Sequence, residues 1–264
     1  KISIIIIDKY NFVSEKNNDY DMRTTAIAEG SKEFFEQINI WSKIEKFSEP
    51  IKDIRVVDRT IDRVLDFFNQ EKNNNLGYIV RNNIIKTILL KLIKKNKNIK
   101  LCNNADLKNI YYKDNLILCD FDKIKIQSKL LIASDGKNSR VRTLLKTPIY
   151  EKKYKQKALV VNFHHTKNHN STAYELFFNS GPLAILPMKK FKKNLYSSSV
   201  IWTHNEDYIN SLYVSERNIL SSILEEKINI YIGKINEIVN VQCFNLTAHL
   251  NKTFYEKRVL YLGD

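Results

Sequence analysis

Apolar positions along this chain alternate between two periods, and the changes of period divide it into strands and helices. The opening run Ile2-Ser3-Ile4-Ile5-Ile6-Ile7 is almost unbroken and β-branched. That is the pattern of a central parallel strand covered on both faces, and an acid, Asp8, closes it. Leu130-Leu131-Ile132-Ala133 and Val259-Leu260-Tyr261-Leu262 repeat the apolar run, each leading shortly to an Asp and a Gly. Over 25–41 the spacing of Ala28, Phe34, Phe35 and Ile38 predicts a helix. A second helix is predicted after Asn82 or Asn83, either of which can cap it. Ile84, Ile85, Ile88, Leu89, Leu92 and Ile93 then form a stripe that ends in lysines suited to a helix C-terminus.

Between 99 and 126, short alternating runs with turn signals at Asn103-Asn104 and Lys113-Asp114-Asn115 predict an antiparallel meander. Strand-like runs at 158–164, 173–178, 183–187 and 196–202 predict a second antiparallel sheet, closed by helices over 207–227 and around 230–238. There is no internal repeat and no Ser- or Gly-rich linker. The expected architecture is α/β, with a second part of α+β character.

With 264 residues, 43% of them hydrophobic, the chain can build one large domain or two modest ones. A formal charge of +14 would suit nucleic acid or an anionic membrane. Lys, Ile and Asn are spread over the whole length, however, while there are only six Gly and four Pro. The surplus therefore reads as a compositional bias, and no nucleic-acid partner is expected. Cys102, Cys119 and Cys243 lack CxxC spacing, which argues against a disulfide framework and for a reducing, cytoplasmic location. No apolar stretch reaches about 18 residues, so no spanning helix is expected; attachment at the surface of the inner membrane stays open.

The segment 130–142 carries the sharpest chemical signal. A buried strand delivers the chain to a sheet edge, Gly136 lets the main chain approach a ligand, and Asp135 offers acceptors for ribose or diphosphate-linked hydroxyls. Arg140 and Arg142 are placed to contact phosphate. The plainer alternative is an Asp-Gly hairpin turn. Asp8 invites a similar reading, because in dinucleotide-binding βαβ units a strand-end acid bonds the ribose. No GxGxxG occurs in the chain, which reads as truncated at both ends. His164 and His165 are adjacent, so a strand would point them to opposite faces, and with no HExxH or paired Cys no metal site is expected with them or His169. GxSxG, GxxxxGK[ST] and kinase signatures are also absent. Tyr174, Phe177, Phe178 and Trp202 read either as core or as the lining of an aromatic pocket.

Several landmarks occur in a telling order. Arg23 precedes a segment ending Ile38-Asn39-Ile40-Trp41, similar to an "R-x-x-A-L" followed by "L-G-L-W". Leu76-Gly77-Tyr78-Ile79-Val80-Arg81-Asn82 is similar to "LGYVVEN", residues 135–142 to "DGANSxVR", and residues 181–187 to "GPLALLP"; Gly263-Asp264 would open "GDAAH". Together they resemble the FAD-dependent aromatic-ring monooxygenases of the p-hydroxybenzoate hydroxylase class, most closely the ubiquinone-biosynthesis hydroxylase branch. The chain departs from that pattern at Arg81, where an acid is usual, at Lys137, where a small residue is usual, and at Asp8, where Glu is common.

The resemblance implies a Rossmann-like FAD/NAD(P)-binding parallel sheet with an antiparallel meander, over 1–46, 75–147 and 255–264. It also implies a substrate-binding sheet domain over 47–74 and 148–254. Asp8, Arg23, Asn82, Asp135, Gly136, Arg142 and Asp264 would contact the cofactor, and Gly181, Pro182 and Leu183 would wall a substrate pocket. The implied reaction is NAD(P)H- and O2-dependent hydroxylation of a phenolic ring, a polyprenylphenol intermediate of ubiquinone biosynthesis, through a flavin C4a-hydroperoxide, with no side chain as catalyst. Peripheral membrane or biosynthetic-complex association is compatible with such a substrate. The alternative is a flavin-binding accessory protein without turnover.

Overall fold

The computed structural model describes residues 2–12, 23–61, 63–68, 75–192 and 195–263. The fold is mixed α/β with parallel and antiparallel sheets, and the chain divides into two compact units. The first comprises 1–14, 90–154 and 247–264, the second 15–89 and 155–246.

In the first unit, β1 (Ile4–Ile7) pairs in parallel with β7 (Ile99–Cys102), Ile5 facing Lys100. A meander follows: β8 (Leu107–Lys113), β9 (Leu116–Phe121) and β10 (Lys125–Ser128). A second parallel pair joins β11 (Leu131–Ala133) to β18 (Val259–Tyr261), which also forms a hairpin with β17 (Tyr255–Glu256). Leu107, Ile117 and Cys119 of the meander, Ala133, Val259 and Tyr261 of the parallel pair, and Val141 of the helix Arg140–Leu145 share one core. The meander is thus shorter than expected, because residues 99–102 pair with β1 instead. The opening strand also differs from its expected burial: Ile4 and Ile5 are 44% and 42% exposed, since among the described residues β1 has only β7 beside it.

The second unit holds two sheets. β2 (Thr24–Ala28), β6 (Gly77–Arg81) and β3 (Glu49–Ile51) form an antiparallel sheet with β6 at its centre. One face packs on the helices α1 (Glu29–Gln37), α2 (Trp41–Ile44) and α3 (Asn82–Lys95), through Ile27, Tyr78 and Val80 against Trp41, Ile44, Phe35 and Ile85. Residues 25–28 were expected to be helical. Their continuous pairing with β6 makes them a strand, a tertiary contact overriding local periodicity.

The larger sheet has the order β16-β12-β15-β14-β13-β4-β5. Its strands are β4 (Asp53–Asp58), β5 (Arg63–Phe68), β12 (Ile149–His165), β13 (Thr172–Phe178), β14 (Gly181–Lys192), β15 (Leu195–Asn205) and β16 (Ile235–Asn251). The β13·β4 pairing is parallel, while those of β12 with β15, β15 with β14, β14 with β13 and β4 with β5 are antiparallel. α5 (Glu206–Val214) and α6 (Arg217–Ile232) pack against it, after the short helix Arg140–Leu145, here α4. The expected single helix over 207–227 is two, because both the amide and the hydroxyl of Ser215 bond the Leu212 carbonyl and close α5. The expected helix at 230–238 ends at Ile232, where Gly233, at φ +71°, turns the chain out of α6 and into β16.

α6 buries Leu220, Leu224, Ile228 and Ile232, one every four residues and each fully buried, against Leu159, Leu183 and Trp202 of the sheet. Among the described residues no helix is long and apolar enough to cross a membrane. Replacing Leu224 by Ala deletes the middle of that stripe and should destabilise the protein by about 2–5 kcal/mol, read from the urea midpoint.

Candidate functional site

In the first unit, the segment 105–107 is where two predicted site residues meet. The Asp8 amide donates to the Cys102 carbonyl at 3.1 Å, extending the β1·β7 pairing by one step, and the Asp8 carbonyl accepts from Ala105 at 3.2 Å. Two residues on, the Leu107 carbonyl accepts from Arg140 Nε at 3.1 Å. The Arg140 amide in turn donates to Asp135 Oδ2 at 2.7 Å. Asp8 and Asp135 are therefore tied to one short stretch of main chain. Asp106, between the two ties, has its carboxyl held below the usual range, first by the hydrogen bond from Lys108 and also by Arg140 and Lys9. This joint had no signal in the sequence, because main-chain groups form most of it.

Asp8 uses one carboxylate oxygen on the Tyr10 amide at 2.9 Å, which leaves the other at the strand end for a donor such as a sugar hydroxyl. Asp135 Oδ2 accepts the amides of both Arg140 and Val141 and so anchors the start of α4, with Ser139 Oγ accepting from the Arg142 amide at 3.1 Å. Gly136, at φ +75°, has open space where a Cβ would stand. Arg142 is buried, and its guanidinium donates to the carbonyls of Gly136, at 3.0 Å, and of Lys137. Its role in the structure is to hold the Asp-Gly loop from behind.

In the second unit, Arg23 and Asn82 are brought into direct contact, the Asn82 amide donating to the Arg23 carbonyl at 2.9 Å. The Asn82 side chain accepts from the Thr25 hydroxyl at 2.6 Å, and the Arg23 guanidinium lies over the Phe244 ring at 5.1 Å. Asn82 thus begins α3 while binding the neighbouring strand. Arg81, just before it, lies opposite Thr24 across the β2·β6 pair, at the rim of a cleft of about 210 Å³ that Ile79 and Met188 also line. The proposed wall residues sit at the other end of β14 from Met188. Gly181, at φ +136°, has no room for a Cβ against the Thr203 carbonyl; Pro182 faces Phe177 on β13; Leu183 is fully buried in the core. Trp202, Tyr174 and Phe178 belong to that core or pack on it, whereas Phe177 is exposed. Asp264 lies outside the described residues.

A profile of the family described as FAD binding domain matches residues 2–264. The chain is 26% identical to a ubiquinone hydroxylase, UbiL, of Rhodospirillum rubrum over 264 residues, all of this chain and 60% of that protein. It is 24% identical over 271 residues to a ubiquinone hydroxylase, UbiM, of Neisseria meningitidis, all of this chain and 58% of that one. The chain thus spans about three-fifths of the length of these curated relatives. Among solved structures, p-nitrophenol 4-monooxygenase PnpA of Pseudomonas putida superposes with a TM-score of 0.76 at 13% identity, over 99% of this chain and 66% of that one, a likeness of fold.

The histidines have partners of their own. His164 Nδ1 meets Ser197 Oγ at 2.9 Å, while His165 bonds the Ile232 carbonyl at 3.0 Å and Ser198 Oγ at 2.9 Å. His169 Nδ1 accepts the Ser171 amide, which leaves Nε2–H to donate to the Met188 carbonyl at 3.2 Å and fixes a neutral ring. Burial pushes His165 down to about 4, with His169 adding to the fall, and burial also lowers His169. A histidine depressed in the folded state stabilises fully above its unfolded value near 6.5 and loses that contribution as pH falls toward about 4. Glu49 and Glu175, raised by burial, work in the opposite sense. The urea midpoint should therefore fall less between pH 7 and pH 5 in His169→Gln than in the parent, and the difference of the two slopes isolates the histidine share.

Proposed function

The chain belongs to the FAD binding domain family, and from that membership we propose that it binds FAD as part of a flavin-dependent hydroxylase of a phenolic ring. The substrate proposed is a polyprenylphenol intermediate of ubiquinone biosynthesis, with NAD(P)H as reductant and O2 as co-substrate. The observation that carries the reading is the full-length family match combined with the tie of Asp8 and Asp135 to one stretch of main chain. The names of the relatives support the choice of ring.

The residues of the first unit fit an adenosine and diphosphate ligand by their chemistry. A ribose diol needs a carboxylate acceptor, and Asp8 has an uncommitted oxygen at a strand end. A diphosphate needs main chain that can come close, and Gly136 presents open space in a left-handed conformation. Reduced FAD, when bound, supplies the activation of O2 for hydroxyl transfer. In this reading Asp8 accepts from the ribose, Asp135 and Arg142 hold the loop that meets the cofactor, and Asp264 makes a further polar contact with it. The chain's own part is to bind, orient and exclude water.

Two measurements test this. Titrating FAD into the purified chain and following flavin fluorescence should give saturable binding that Asp8→Asn weakens about tenfold, the scale of a hydrogen bond to a charged group. The intact gene product should consume NAD(P)H and place one oxygen atom from labelled O2 on a prenylated phenol. Flavin binding without that incorporation would favour a non-catalytic accessory role.

A further inference from the structure

Two turns of the first unit leave the sheet side by side. β11 and β18 run in parallel, Ala133 facing Tyr261, and each runs on to a glycine in the left-handed region: Gly136 at φ +75° and Gly263 at φ +84°. Both glycines have open space where a Cβ would stand. The Leu262 amide donates to the Ala133 carbonyl at 2.9 Å, so the register holds to the last residues of the strands. Ligands of parallel sheets settle at such carboxyl ends. A ligand that touches both turns needs them at one fixed spacing, and a pairing of three residues is a short ladder to supply it.

A second tie joins the turns away from that ladder. Thr147, just past α4, gives its amide to the Arg142 carbonyl at 3.0 Å, and Arg142 in turn holds the Gly136 and Lys137 carbonyls. The Thr147 hydroxyl lies 2.7 Å from Glu256 Oε1 and 2.6 Å from the Tyr261 hydroxyl, which itself donates to the same carboxylate oxygen. Glu256 and Tyr261 face each other's strands in the hairpin β17·β18, whose second strand leads to Gly263. Tyr261 is buried and shares a core with Val141 of α4. Burial and the bond to Glu256 push the tyrosine pKa up, so its hydroxyl stays a donor. The Thr147 proton then goes to Glu256 or to the Tyr261 oxygen, and both hydroxyls are satisfied within the cluster.

We propose that Thr147, Glu256 and Tyr261 are positioning residues that fix the Asp135-Gly136 turn and the Gly263 turn at one spacing, so that a ligand spanning both meets a single surface. Each acts through another group: Thr147 through Arg142, Glu256 and Tyr261 through β18. For the identity of the ligand, FAD, the proposal rests on the flavin reading above; the coupling of the two turns is a property of the chain itself. A cluster of this kind works as a unit, so losses within it do not add.

Amide hydrogen exchange of the full chain, read by mass spectrometry over 134–142 and 260–263, tests the coupling, and fluorescence titration with FAD tests its use. Thr147→Val keeps the side-chain shape and removes the hydroxyl. Both stretches should exchange roughly tenfold faster in it, the scale of a hydrogen bond to a charged group, while α6 exchanges as before. FAD should bind roughly tenfold more weakly, and Thr147→Ser, which restores the hydroxyl, should restore both readouts. Tyr261→Phe should repeat the effect, and combining it with Thr147→Val should add little to either change alone. If Thr147→Val does not fold, Tyr261→Phe compared with Glu256→Gln carries the test: the first should loosen both turns, and the second, which keeps an acceptor oxygen, should loosen them less. Faster exchange only at 143–147, at one turn without the other, or uniformly along the chain overturns the proposal. So does unchanged FAD affinity in Thr147→Val, a Ser variant no better than Val, or losses that add. If the parent chain binds no FAD while both turns quicken together, the flavin reading falls and the coupling stands.

Discussion

The second unit depends on a strand with no free side. β6 is hydrogen-bonded to β2 on one edge and β3 on the other, with Tyr78 and Val80 in the cluster around Trp41 and Ile79 in the cluster with Met188. At its start, a Cβ on Gly77 would stand 2.7 Å from the Ile27 carbonyl, so only glycine allows this approach. A strand confined in this way leaves no latitude in where its last residue falls. Arg81 therefore stands beside Thr24, and Asn82 is delivered to the Thr25 hydroxyl as α3 begins.

Arg142, which is buried, and Arg81, which is half-buried, stand in opposite surroundings. Arg142 is enclosed and satisfied, its guanidinium spent on the carbonyls of the loop it supports. Arg81 is half-buried, and among the described residues no carboxylate pairs with it. The first is an internal brace; the second has its pKa lowered by burial alone, with no acid acting on it. Burial alone therefore does not distinguish these two arginines. What separates them is whether the chain itself provides acceptors.

Much of the first unit was legible in the sequence because its signals are local. An apolar run closed by an acid, or a strand running into Asp-Gly, marks a sheet edge by its own composition, and Asp8 and Asp135 stand at such ends. What could not be read was made by main-chain groups or by distant segments. The joint at 105–107 works through carbonyls and amides, which any residue supplies. The cleft gathers residues near 24, 46, 79–84 and 188–190, each unremarkable beside its own neighbours. Residues 25–28 misled because a helical spacing of apolar side chains is also compatible with a strand whose partner is about 50 positions away. The resemblance to ring hydroxylases drew attention to Gly77 and Asn82, but the reasons for them, a close approach and a strand-to-helix tie, are tertiary.

The brace behind the Asp-Gly loop has a kinetic and evolutionary consequence. Since Arg142 grips the main-chain oxygens of Gly136 and Lys137, the loop is braced in advance, and a molecule arriving there would forfeit little conformational entropy on contact. Gripping oxygens rather than side chains also leaves position 137 open to drift. A lysine can stand there in place of a smaller residue while the curve of the backbone is preserved, so this stretch can change its outward charge without rebuilding its shape.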